Sequence, residues 1–141
     1  MKFKINAKSD GGMKTEVRAR NFNIIVDEPE SMGGKDEGAT PLELVLASLA
    51  GCYTVVGNFA ARELEFELRG LDIEIEGEMN PARFAGKSRE ERAGFQSINI
   101  NIKVDSDADS ETLKKWIGII EDRCPVTDNL TNKTPLNIAL V

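Results

Sequence analysis

The sequence predicts an α+β fold in which antiparallel strands accompany one long buried helix and one amphipathic helix. Three observations lead to this prediction. Segments near the N-terminus and between residues 71 and 105 alternate apolar with polar side chains, which is typical of half-buried strands. Residues 40–65 are apolar on nearly every side, and residues 110–124 repeat apolar side chains at helical spacing. At 141 residues the chain is predicted to form a single domain, residues 1–141.

The N-terminal segment predicts an antiparallel meander. Apolar and polar side chains alternate over residues 2–7, and residues 10–12 have the Asp-Gly-Gly composition of a turn. Residues 14–26 carry a second and a third strand, separated near Arg20 and Asn21. An acidic, glycine-containing loop over residues 27–38 then leads to the first helix.

The central helix is predicted to run from about Thr40 to Glu65. Thr40 can cap free backbone N–H groups and Pro41 suits the first helical position. Because the following run is apolar on nearly every side, we expect this helix to be buried all round. One stripe of it carries Val45, Leu49, Cys52, Val56 and Phe59.

The second half of the chain predicts a hairpin, a helix and a final strand. Residues 71–78 and 98–105 alternate apolar with polar side chains, and a long charged connector joins them. Residues 107–110 have the composition of a helix start, and the apolar spacing that follows reaches Cys124, with Pro125 ending the helix. A short strand around Leu136, Ile138 and Leu140 closes the chain.

Charge and composition narrow the range of partners. The net charge is −6 and the sequence has no basic cluster, so it predicts no binding to nucleic acid or to an anionic membrane surface. The N-terminus lacks a signal-peptide pattern, and the apolar run over residues 44–56 is shorter than the roughly 20 residues that span a bilayer. We therefore expect a cytoplasmic protein whose partners are small molecules or proteins.

The inventory of reactive side chains is short. The chain contains no histidine, which excludes Ser-His-Asp and Cys-His nucleophile systems and metal sites built on imidazole. Cys52 and Cys124 are the only cysteines, so a CxxC motif and a thiolate zinc site are also excluded. Any cysteine chemistry must stabilise its thiolate with arginine, lysine, a helix N-terminus or a hydrogen bond.

The two thiols allow structural and chemical interpretations. Each sulfur lies on the apolar face of a predicted helix, where a free cysteine often serves as a small buried hydrophobe. A structural disulfide is a second interpretation, which a cytoplasmic location disfavours relative to a catalytic or reversible one. Because Pro125 follows Cys124, the Cys124 sulfur is expected to lie at a helix end where the backbone turns.

Several motifs together resemble the OsmC/Ohr family, the osmotically induced and organic-hydroperoxide-resistance proteins. They are GATPLEL at residues 38–44, LAGC at 49–52, Arg83-Phe84 shortly after Asn80-Pro81, and CPV at 124–126. The resemblance implies an intertwined homodimer with its active sites at the subunit interface. It also implies a thiol-dependent peroxidase that reduces organic hydroperoxides, in which Cys52 is the peroxidatic residue and Cys124 the resolving one.

The resemblance further implies an arginine that stabilises the thiolate and a glutamate that holds the arginine. The sequence departs from the family pattern here, because Met13 follows the glycine turn and Leu42 follows the helix-opening proline. Arg18 or Arg20 is then the candidate cation and Glu43 the candidate acid. Both arginines could equally be exposed strand residues, and Glu43 could be a first-turn acid that favours the helix dipole.

The family also implies an external dithiol reductant, such as a lipoyl group on a protein, and no bound metal or flavin. Two other functions remain open on the same fold. One is a noncatalytic protein that binds a small apolar ligand, and the other is a redox sensor in which a disulfide changes a partner surface.

Overall fold

The computed structural model describes residues 1–140. The chain divides into two compact units, residues 1–47 and the residues from 48 onward. The elements of the first unit and the helix that leaves it are β1 (Asn6–Lys8), β2 (Thr15–Ala19), β3 (Phe22–Val26) and α1 (Pro41–Glu63). The remaining elements are β4 (Leu68–Glu78), β5 (Ser97–Ser106), α2 (Ser110–Arg123) and α3 (Pro125–Thr131). The single-domain assignment remains a prediction.

In the first unit, β1, β2 and β3 form a three-stranded antiparallel sheet in chain order, which confirms the predicted meander. Arg20 makes the turn between β2 and β3 with a φ of 57°, in the left-handed region, as the predicted break required. β1 is shorter than the alternation suggested. It begins at Asn6, and Phe3 and Ile5 lie outside it and are exposed.

A buried carboxylate organises the loop that follows β3. Asp27 is 1 % exposed, and its oxygens accept hydrogen bonds from the backbone N–H groups of Glu28, Lys35 and Glu37. Gly34 closes the same loop, where a Cβ would overlap the carbonyl oxygen of Glu28. The acidic loop predicted from composition is therefore an ordered turn around one carboxylate.

The helix α1 begins with a reciprocal cap. The backbone N–H of Thr40 donates to Glu43 Oε2 at 2.7 Å, and the N–H of Glu43 donates to Thr40 Oγ1 at 3.3 Å. The expectation that the helix is buried all round is wrong. Only five of its residues are buried, whereas Phe59, predicted to lie on the core stripe, is 58 % exposed and Val55 is 57 % exposed. The apolar composition of α1 thus exceeds what this chain covers.

By length and composition, α1 is also able to cross a membrane. It has 23 residues, and its 18-residue apolar window has a mean hydropathy of 1.6 with 28 % of the window buried. It is longer than the apolar run identified in the sequence. Core helices of soluble proteins have the same properties, so the absence of a membrane partner remains a prediction.

The second unit packs helices against one face of a β-hairpin. β4 and β5 pair antiparallel over their lengths, as predicted, with the long connector between them. Their alternating apolar side chains pack against a buried cluster contributed by α1, α2 and the residue after α2. The cluster consists of Leu49, Tyr53, Ala60, Ala61, Trp116, Ile120 and Cys124.

In the C-terminal region, the predicted end of the second helix is confirmed and the predicted closing strand is wrong. Pro125 does follow the end of α2, but it also opens the short helix α3, because proline suits the first position of a helix. The predicted closing strand is absent from the described residues. Residues 133–140 have no regular structure, and Leu136, Ile138 and Leu140 are fully or nearly fully exposed. Their alternation meets no strand edge to pair with among residues 1–140.

Candidate thiol site

The structure brings the two cysteines together. Cys52 lies in the middle of α1, and Cys124 stands between α2 and α3 as the last cap of one and the first cap of the other. Their Sγ atoms are 2.8 Å apart, although 72 positions separate them in the chain. Both are free thiols. A disulfide requires about 2.05 Å between the sulfurs, so a movement of less than about 1 Å closes one.

A close helix contact positions these sulfurs. Gly57, on α1, has no side chain, and the Trp116 ring of α2 occupies the space where a Cβ would stand. Trp116 Nε1 donates a hydrogen bond of 2.8 Å to the carbonyl oxygen of Gly57, and the ring meets Phe66 edge-on at 6.4 Å. This contact sets the register of α2 along α1 and hence where its C-terminal cysteine meets Cys52.

The two thiols differ in exposure. Cys124 is 1 % exposed and belongs to the apolar core, whereas Cys52 is half-buried at the edge of that core. A reagent from solvent therefore reaches Cys52 more readily than Cys124. The spacing of the cysteines in the sequence did not predict this difference in exposure.

The pKa values of the two thiols move in opposite directions. Burial raises the pKa of Cys52, and the neighbouring Cys124 raises it further, while the backbone N–H of Val126 lowers it. Burial also opposes ionisation of Cys124, but hydrogen bonds from Cys52 and Thr127 outweigh it and lower the pKa of that thiol. The contact between the sulfurs therefore opposes ionisation of Cys52 and favours that of Cys124.

Thr127 is a site residue that the sequence reasoning missed. Its backbone N–H donates to Cys124 Sγ at 3.4 Å. Its hydroxyl oxygen is buried and lacks a hydrogen-bond partner of ordinary geometry among residues 1–140, yet it is near enough to lower the pKa of Cys124. At a helix start, the side chain of the cap residue commonly accepts a hydrogen bond from the backbone N–H three residues later. The sequence Cys-Pro-Val-Thr fits this pattern and could have indicated Thr127.

The remaining predicted site residues lie in the first unit. Arg18 is an exposed residue of β2, whose Nε donates to the carbonyl oxygen of Arg20 at 3.3 Å. The Arg20 guanidinium lies 5.1 Å from the ring centre of Phe22. Glu43 caps α1, and its hydrogen bonds with Thr40 lower its pKa. Their roles toward the thiols remain predictions.

Within residues 1–140, no group of three or more cysteine, aspartate or glutamate side chains is placed to hold a metal ion. The acidic residues that alternate along β4 are exposed. The candidate site therefore consists of two sulfurs and the hydrogen-bond donors of α3.

Comparison with known proteins identifies related chains. The family model described as OsmC-like protein matches residues 34–139. A hydroperoxide reductase from Mycoplasma genitalium is 28 % identical over 142 aligned positions, which cover 99 % of this chain and 95 % of the relative.

Two solved structures share the fold. An OsmC-like protein from Mycoplasma pneumoniae superimposes with a TM-score of 0.80 at 21 % identity, covering 93 % of this chain and 88 % of the other. A putative osmotic stress induced and detoxification response protein from Psychrobacter arcticus gives a TM-score of 0.72 at 25 % identity, with 91 % and 87 % of the chains covered.

Proposed function

We propose, from the premise that this chain belongs to the OsmC-like protein family, that it is a thiol-dependent peroxidase that reduces organic hydroperoxides. The observation that carries the proposal is the contact of 2.8 Å between an accessible sulfur, Cys52, and a buried one, Cys124. The hydroperoxide reductase from Mycoplasma genitalium, similar over nearly the whole chain, supports the same chemistry.

The reaction divides between the two sulfurs. The Cys52 thiolate attacks the outer oxygen of the hydroperoxide, the O–O bond breaks, and the alcohol leaves after taking a proton. Cys52 is then a sulfenic acid. The Cys124 thiolate attacks its sulfur, an S–S bond forms, and the sulfenic oxygen leaves as water. A dithiol reductant, such as a lipoyl group on a partner protein, returns the disulfide to two thiols.

The surroundings of Cys52 favour an organic substrate. The sulfur stands at the edge of an apolar core, next to side chains that prefer the hydrocarbon part of an alkyl or aryl hydroperoxide to water. No lysine or arginine is among the groups that shift the pKa of Cys52. The proposal therefore requires a cation that approaches the Cys52 thiolate in an arrangement different from this one. Arg18 or Arg20, held by Glu43, is the family-based candidate.

A second copy of the chain completes this proposal. The apolar side chains that this chain leaves exposed occur in both units, and an apolar helix face that is open to water favours association. They include Phe22, Ile24, Val55 and Phe59. We expect a homodimer in the cytoplasm, and sedimentation that gives a monomer at micromolar concentration contradicts this part.

The function is tested by turnover. We expect the purified protein to consume cumene hydroperoxide when a dithiol such as dihydrolipoamide is present, and hydrogen peroxide more slowly. Cys52→Ser abolishes consumption, whereas Cys52 of the Cys124→Ser variant still reacts once, which stoichiometric treatment and peptide mapping detect. In the wild type, non-reducing mapping shows the Cys52–Cys124 disulfide. A wild type that does not turn over contradicts the peroxidase.

The same assay separates the other functions. A redox sensor forms the disulfide once and is not recycled by a dithiol at a useful rate. A binding protein leaves both thiols free after peroxide treatment. The arginines are tested by Arg18→Met and Arg20→Met in a Cys124→Ser background, in which loss of a close cation raises the pH midpoint of Cys52 alkylation by roughly one unit.

A further inference from the structure

We propose that the reductant attacks the Cys52 sulfur of the oxidised protein, and that Thr127 stabilises Cys124 as the thiolate that leaves. The inference rests on the proposed function for its place in turnover, because it describes how the disulfide of that cycle is opened. It assigns different roles to the two sulfurs in the reductive half of the reaction, and it gives a role to Thr127.

Accessibility determines which sulfur is attacked. A thiolate that opens a disulfide must approach one sulfur from the side opposite the other, and Cys124 is 1 % exposed within the apolar core. Cys52 is half-buried on α1. Closing the disulfide requires the sulfurs to move by less than about 1 Å from their separation of 2.8 Å, so this difference in exposure persists in the oxidised protein.

The leaving sulfur is the one with more hydrogen-bond donors, because the backbone N–H of Val126 acts on both thiols whereas both groups of Thr127 act on Cys124. Thr127 offers its backbone N–H at 3.4 Å from Cys124 Sγ and a buried hydroxyl that has no other partner among the described residues. A thiolate on Cys124 gives that hydroxyl an acceptor, which removes the cost of a buried unpaired polar group. A disulfide breaks faster when the departing thiol has the lower pKa, and the Thr127 groups, which lower the pKa of Cys124, remain beside it when Cys52 is bonded to the reductant.

The other charged groups near Cys124 do not offer it an alternative partner. Arg123, beside it in α2, is paired with Glu63 of α1 at 2.7 Å, and Asp128 of α3 is exposed. The titratable group in contact with Cys124 is Cys52. The charge of the leaving sulfur therefore depends on Cys52, Thr127 and the backbone N–H of Val126.

The steps balance with a dithiol as the reductant. One reductant thiolate bonds to Cys52 Sγ, the Cys52–Cys124 bond breaks, and its electron pair goes to Cys124 Sγ, which becomes the thiolate. The second reductant thiol loses its proton and attacks the reductant sulfur of the mixed disulfide. The reductant closes its own disulfide, and Cys52 leaves as a thiolate that takes up that proton.

The test needs no peroxide, so its outcome is independent of whether the proposed peroxidase activity exists. The full chain is oxidised with diamide and then treated briefly with a monothiol, 2-mercaptoethanol, and the mixed disulfide is trapped at low pH and mapped. We expect the adduct on Cys52 with Cys124 free. An adduct mainly on Cys124, or failure of diamide to link the two cysteines, overturns the proposal.

Thr127 is tested as a positioning residue with a matched control. Thr127→Val keeps the shape and removes the hydroxyl, and we expect it to slow reduction of the preformed disulfide roughly tenfold at pH 7. In a Cys52→Ser background the same change raises the pH midpoint of Cys124 ionisation, followed by thiolate absorbance near 240 nm, by about one unit. Thr131→Val removes an exposed hydroxyl of the same helix, which donates to the backbone carbonyl of Thr127 and not to a sulfur, and leaves both values unchanged. Equal rates and midpoints for Thr127→Val and Thr131→Val overturn the role of Thr127.

Discussion

The two units of the chain are ordered by different interactions. Among residues 1–47 the one buried residue is Asp27, whose carboxylate is surrounded by backbone N–H groups. The residues from 48 onward bury an apolar cluster that includes Trp116, Ile120 and Cys124. The comparison shows that the two sulfurs are positioned by apolar packing, whereas the loop ahead of α1 is held by one charge.

The same difference appears at the surface. The meander leaves Phe22 and Ile24 exposed, because a three-stranded sheet with no helix of its own cannot cover both faces. The hairpin β4–β5 packs its apolar face against helices and exposes the polar one. Changes in the second unit should therefore cost the most stability.

The largest effect is expected from Trp116→Ala. Trp116 is 1 % exposed and donates its indole N–H to the carbonyl oxygen of Gly57, so the change leaves a cavity and removes a hydrogen bond between α2 and α1. We expect the free energy of unfolding to fall by about 3–5 kcal/mol in chemical denaturation. Phe84→Ala removes an aromatic ring that is 65 % exposed and serves as the control. Equal losses for both variants would contradict the assignment of the core.

A smaller effect is expected from Gly57→Ala, which overfills the same contact. The new Cβ would lie 2.9 Å from Trp116 Cζ2 and 3.3 Å from Ile120 Cδ1, so the helices must separate. We expect a loss of about 1–3 kcal/mol by the same measurement, together with slower closure of the Cys52–Cys124 disulfide by diamide.

Gly51→Ala on the same helix is the matched control. Nothing lies within 4 Å of its added Cβ, so better helix propensity should make the variant neutral or up to about 1 kcal/mol more stable. Similar losses for both glycines would indicate that helix propensity, and not the Trp116 contact, determines the result.

The first unit is tested by pH. Burial opposes ionisation of Asp27, but the N–H groups of Glu28, Lys35 and Glu37 outweigh it and lower its pKa in the folded protein. The carboxylate therefore stabilises the fold above the unfolded value of about 3.9, and this contribution disappears as the pH falls through the lower folded value. We expect Asp27→Asn to lower the Tm at pH 7 and the gap to the wild type to narrow below pH 4. A gap that does not change with pH would contradict a role for the charge.

The smallest effect is expected at the ion pair between Arg123 and Glu63. It joins α2 to α1 at 2.7 Å, but each side chain is half exposed, so water and salt screen it. Glu63→Gln should cost less than about 1 kcal/mol, and the difference should shrink further in 1 M NaCl. A larger, salt-independent loss would indicate that the pair is desolvated in solution.

Local patterns predicted the strands well. The alternation of apolar and polar side chains located both hairpin strands and the meander. This pattern depends only on which face of a strand is covered by its nearest neighbours. The closing strand failed because Leu136, Ile138 and Leu140 alternate without an available partner edge, which the sequence cannot display. The predicted burial of the central helix was wrong for a related reason. An apolar composition reports how much surface prefers to be covered, not what covers it.

The thiol pair could be anticipated, but its asymmetry could not. Helical spacing placed Cys52 and Cys124 on apolar faces, and the structure puts them in contact. Which sulfur is buried depends on where α2 ends, and there Pro125 starts a new helix that brings Thr127 to Cys124. The Thr127 N–H reaches Cys124 because the backbone turns between α2 and α3, and no periodic pattern of side chains indicates such a turn.

The interlocked contact of Gly57 with Trp116 has a consequence for damage by excess oxidant. Because it keeps the helices in register, Cys124 would meet the sulfenic acid of the proposed cycle at a very high effective concentration, with no search through conformations. A second peroxide molecule, which would carry that sulfur on to the irreversible sulfinic acid, must arrive by diffusion. If the proposed peroxidase function holds, rigid packing thus favours disulfide formation over further oxidation, and loosening the helices should first be visible as hyperoxidised Cys52.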